Sequence, residues 1–86
     1  MRSDIIPISV GQQPRQLVVT RKRVYVTNYS SSNLYTIDVK SSRVIGDPLG
    51  LPVNPFSLAL DEHGALWIGS QPENTLSKVE ATSPAG

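Results

Sequence analysis

Three observations predict an all-β fold for this 86-residue sequence. Its apolar residues come in short runs such as Leu17-Val18-Val19 and Leu58-Ala59-Leu60. Seven prolines and six glycines fall between those runs, which is the pattern of many short strands joined by turns. Finally, two stretches repeat one another: PRQLVVTRKRVYVTNYSSSNLYTID at 14–38 and PFSLALDEHGALWIGSQPENTLSKVE at 55–80, with Pro14 and Pro55 41 residues apart. A unit of that length built from short strands has the size of one β-propeller blade.

The elements follow in order. Residues 4–10, DIIPISV, form a short β-rich run that Gly11 ends. Pro7 has no N–H to give a ladder, so this strand is expected at an edge. After the loop GQQPR at 11–15, Leu17–Val19 is apolar on both faces, as in a strand buried between neighbours. The basic turn Arg21-Lys22-Arg23 leads to a strand over 24–29, and the SSSN turn at 30–33 leads to another over 34–39. In that last strand Tyr35, Ile37 and Val39 share one face and Leu34, Thr36 and Asp38 the other. Val44 and Ile45 begin a fourth, weaker strand that is lost in GDPLGLP. In the second copy Leu58 and Leu60 take the places of Leu17 and Val19. Asp61-Glu62-His63-Gly64 replaces the basic turn with one extra residue, and Gly64 is placed for the positive φ of a type I turn with a bulge. Leu66-Trp67-Ile68 then matches Val24-Tyr25-Val26, and Leu76 and Val79 match Leu34 and Ile37.

Labelled from the axis outward, the strands read d–abcd–abc: two four-stranded blades' worth, with the last d missing. The expected organisation is a leading, blade-closing outer strand at 1–11, a first blade at 12–53, and a second, incomplete blade with a tail at 54–86. Two blades do not close a circle, so the ring closes by oligomerisation or by further blades. Three copies make six blades and four make eight. A compact two-sheet sandwich is the alternative fold.

Composition narrows the function. With no cysteine, no disulfide or thiolate metal site is available. His63 is the only histidine, which removes multi-histidine metal sites and relays. Eight basic and seven acidic residues give a net charge of +1, which argues against nucleic acid as a partner. No apolar run approaches the roughly 20 residues of a membrane-spanning helix. The first fourteen residues lack the continuous apolar stretch of a secretory signal.

VYVTNYSSSN followed by LYTIDV resembles the YVTN family of propeller repeats, in which a YVTN-like strand, a Ser/Asn turn and a strand ending in Ile-Asp follow one another. PFSLALDEHGALWIGS resembles the repeats of NHL proteins and of the streptogramin-lyase type. The resemblance covers about residues 4–82 and implies propeller architecture. It leaves function open among enzymes, scaffolds and ligand binders, and suggests a periplasmic or extracellular setting. GDPLGLPVN at 46–54 departs from the family's smooth fourth strand. In lyase-type members catalysis uses several histidines with a carboxylate and a metal, a set this chain does not carry.

Candidate residues divide by position. Tyr25 and Trp67 occupy equivalent places and are expected to pack between adjacent blades, with a stacking platform for a sugar as the alternative. His63 reads as an exposed turn residue. Arg21-Lys22-Arg23 reads as a solvated turn, and Asp38, Asp61 and Glu80 as turn caps or partners of Lys40 and Lys78. The loops joining d to a and b to c open on the same face of a propeller. They carry Gln12, Gln13, Arg15, Asn28, Tyr29, Asn33, Asn54, Phe56, Gln71, Glu73 and Asn74. Amides, an arginine and aromatics suit hydrogen bonding and stacking on a polar ligand; the same residue types also simply favour turns. No catalytic residue, metal ligand or cofactor is implied. The expectation is a non-enzymatic binding or scaffold module that self-associates in three or four copies and contacts a polar small molecule, a glycan or a protein. The alternatives are a fragment of a larger propeller enzyme of lyase or lactonase type, or a protein-interaction scaffold.

Overall fold

The computed structural model describes residues 4–51, 54–70 and 74–80, and among them every regular element is a strand. Strands β1 (Pro14–Val19), β2 (Arg23–Asn28), β3 (Asn33–Asp38) and β4 (Arg43–Val44) form an antiparallel meander. A short β5 (Leu49–Gly50) pairs with the other end of β3. A second antiparallel sheet runs β6 (Ser57–Leu60), β7 (Leu66–Ser70), β8 (Thr75–Val79). Both sheets use one register: Leu17 opposes Val26 as Leu58 opposes Ile68, and Thr27 opposes Leu34 as Gly69 opposes Leu76.

The fourth strand corrects the sequence expectation. It is interrupted, not lost. Ile45 N–H still donates to Thr36 at 2.8 Å, the chain leaves the ladder at Gly46 (φ +70°), and it returns at Leu49. Pro48 has no N–H to donate, and the positive-φ Gly46 two residues before it accommodates the excursion. The leading run differs too. Residues 4–10 form no strand within the single chain, and Ile5 and Ile6 are exposed. A β-rich segment becomes a strand only when a ladder partner satisfies its backbone groups.

Turns are closed by side chains. Thr20 Oγ1 accepts from Arg23 N–H at 2.9 Å, tying the basic turn. Asp61 Oδ1 accepts from the N–H groups of His63 (2.8 Å) and Ala65 (3.0 Å), and Gly64 holds φ +89° as its turn requires. Ser32, just before β3, and Asn74, just before β8, both adopt left-handed φ, +52° each.

The core lies between the sheets. Leu34, with half-buried Val18 and Tyr25 on the same face of the first sheet, packs against Leu58, Leu66 and Ile68 of the second. The sheets come closest along β1 and β6, one edge of each. Each sheet also has an outer face: Leu17, Val19, Val26 and Ile37 on the first, Ala59, Trp67 and Leu76 on the second.

Candidate functional site

Antiparallel pairing places the segments leading into β1 and β6 and the β2–β3 turn at one end of the sheets, and the β1–β2 and β6–β7 turns at the other. At the first end the chain ties its loops together. Gln13 C=O accepts from Tyr29 N–H at 2.8 Å, and Gln12 N–H donates to Ser31 Oγ at 2.8 Å. The Ser30 hydroxyl and the Gln13 side chain are also bonded. Asn54 Nδ2 bridges the two repeats, donating to Tyr29 C=O at 2.8 Å and Ser32 Oγ at 3.1 Å.

The Arg15 guanidinium lies over the Phe56 ring, 4.3 Å from its centroid, and 5.8 Å from that of Tyr29. Stacked guanidinium is weakly hydrated and keeps its N–H edge free to recognise a carboxylate or hydroxyls. Asn28 is fully buried, and its Nδ2 donates to Asn33 Oδ1 at 2.9 Å. Its own Oδ1 has no partner among the described residues, and neither has the buried hydroxyl of Ser70, the matching position of the second repeat. A buried acceptor without a donor is costly, so these two atoms mark where polar groups are in demand. An open groove of about 500 Å³ beside Ser70 is lined by Phe56, Ser57, Gly69, Ser70, Asn74, Thr75 and Leu76.

Thus Gln12, Gln13, Arg15, Asn28, Tyr29, Asn33, Asn54 and Phe56 gather at one end through the contacts above, and Asn74 joins Phe56 along the groove. Gln71 and Glu73 lie outside the described residues. Sequence reasoning missed the hydroxyls of Ser31, Ser32 and Ser70; the only signal for the first two was a serine run that reads as turn chemistry.

The opposite end carries the ion pairs. His63 is 82% exposed and stands 3.5 Å from equally exposed Glu62. Arg23 pairs with Asp38 at 3.5 Å, and Lys78 with Glu80 at 3.3 Å. Ser41 N–H, donating at 2.7 Å, is the main reason the Asp38 carboxyl titrates below its ordinary value, with Arg23 adding to it. Asp61 is lowered as well, first by the Trp67 indole N–H at 2.9 Å and then by Ala65 N–H. Trp67 is therefore half-buried with its polar edge satisfied, and Lys78 Nζ lies 5.2 Å from its ring centroid. Among the described residues no three His, Cys, Asp or Glu side chains gather as a metal site would require, and no helix is long and apolar enough to cross a membrane. The end bearing Arg15 and the amides is equipped for hydrogen bonding and stacking. No protein-family model matches the chain, and neither a curated protein nor a solved structure matches it.

Proposed function

We propose that this chain is a non-enzymatic binding module of propeller blades that works as a ring of identical copies. Its ligand or partner contacts lie on the face formed by Gln12, Arg15, Tyr29, Asn54 and Phe56. One observation carries the reading: two stacked meanders in a shared register, closest along β1 and β6, each leave large apolar side chains of the outer face exposed, Leu17 and Val19 on the first and Leu76 on the second. Wedges with uncovered sides are stabilised by further wedges, and head-to-tail contacts with the right rotation close into a ring. The resemblance to YVTN and NHL repeats points the same way.

Light scattering at micromolar concentration tests the assembly. A particle of three or four times 9.3 kDa is expected; a folded monomer removes the ring. Deleting residues 1–11 is expected to cripple assembly, since the exposed, β-rich leading segment would complete the three-stranded sheet of a neighbour. Glycan-array binding that Arg15→Ala abolishes supports a polar ligand on the loop face. Capture of one protein partner, with no glycan bound, favours a scaffold.

A further inference from the structure

We infer that the contact between copies has one defined geometry: the outer face of β6–β8 of one copy seats on the outer face of β1–β4 of the next. Its register repeats the one between the two sheets inside the chain. The inference rests on the ring reading above and adds the surfaces and register that reading leaves open.

The internal contact is the template. Val18, Tyr25 and Leu34 of the first sheet meet Leu58, Leu66 and Ile68 of the second. In the alignment, Val18, Tyr25 and Leu34 correspond to Ala59, Trp67 and Leu76, on the outer face of the second sheet. Leu58, Leu66 and Ile68 correspond to Leu17, Val24 and Val26, on the outer face of the first. The chain therefore carries a second copy of each half of its own interface, one half on either side of the stack. The complement of each half is the other, so the occupant is a second copy of this chain.

Exposure tracks the missing neighbour. Leu34 is 4% exposed and its counterpart Leu76 is 66%; Leu58 is 8% exposed and its counterpart Leu17 is 58%. On the receiving face Val26 and Ile37 are already buried, and Leu17 and Val19 of β1 form the open part. That is the strand along which the internal contact is closest, so the template places β6 of the first copy beside β1 of the next. The two halves differ, which makes the contact heterologous, and each copy uses both.

The cysteine-free chain allows a clean test. Leu17→Cys and Leu76→Cys alter exposed residues, so neither disturbs the core. Packed sheets lie roughly 10 Å apart, which suits a short bismaleimide rather than a disulfide. Expected are a covalent dimer in an equimolar mixture of the two variants, no dimer from either alone, and from the double variant a ladder ending at the particle's copy number. Self-cross-linking of either single variant overturns the geometry. So does an uncross-linked mixture whose particle mass by light scattering is still that of a ring; the ring reading then survives without this contact. A monomeric mass of the unsubstituted chain overturns both.

Discussion

At the scale of single residues, Asp61 shows how a turn side chain sets both local structure and acid sensitivity. Its two oxygens accept from two turn N–H groups and the Trp67 indole. These donors favour the ionised carboxyl, so it titrates below its ordinary 3.8 in the folded chain. The stability so gained is complete above the ordinary value and is lost as pH falls through the lowered one. Trp67→Phe removes the largest cause. The Asp61 carboxyl is then expected to titrate closer to 3.8, followed by NMR, and acid unfolding to begin at higher pH. The Asp-x-x-Gly spacing made this turn legible. The indole bond was not, because it links residues six apart across a turn whose geometry the spacing does not specify.

At the scale of elements, backbone conformation separates compatible residues from strained ones. Ser42, in the turn before β4, holds φ +60°, a left-handed conformation that costs a non-glycine residue about 1–2 kcal/mol. Ser42→Gly relieves that cost against the entropy glycine loses on folding, so a gain of up to about 1 kcal/mol in urea melts is expected. Gly11 shows the opposite constraint. A Cβ there would lie 2.8 Å from the buried Asn28 side chain. Gly11→Ala is expected to cost about 1–3 kcal/mol through overpacking and disturbance of the Asn28–Asn33 bond, read from the same melts. The three-strand core of each repeat was readable from alternation, but the outer strand was not. Its return at Leu49 depends on the free edge of β3 being within reach after the Gly46 excursion.

At the scale of the whole molecule, position within the stack outweighs residue type. Leu58 and Leu17 are the same residue at matching positions, one buried in the core and one exposed. Leu58→Ala is expected to lower stability by about 2–4 kcal/mol at any protein concentration. Leu17→Ala is expected to change the stability of a dilute monomer by less than about 0.5 kcal/mol yet to weaken assembly at higher concentration. Thermal melts as a function of concentration, beside light scattering, separate the two effects. An equal loss from both substitutions in the dilute monomer would contradict the unequal burial. An 86-residue chain buries only about 60–65% of its unfolded surface, so added contacts between copies weigh heavily at this size.

The sequence by itself determined the all-β class, the order of β1 to β3 and of β6 to β8, and the turn at Gly64. These follow from local alternation, turn chemistry and the matching stretches, which act over a few residues. Only the tertiary structure decided which of two matching leucines is buried, how the broken outer strand rejoins β3, and that Arg15 lies over Phe56. Those outcomes depend on which sheet face meets a neighbour and which stays uncovered, a property of the assembled layers that no single strand carries.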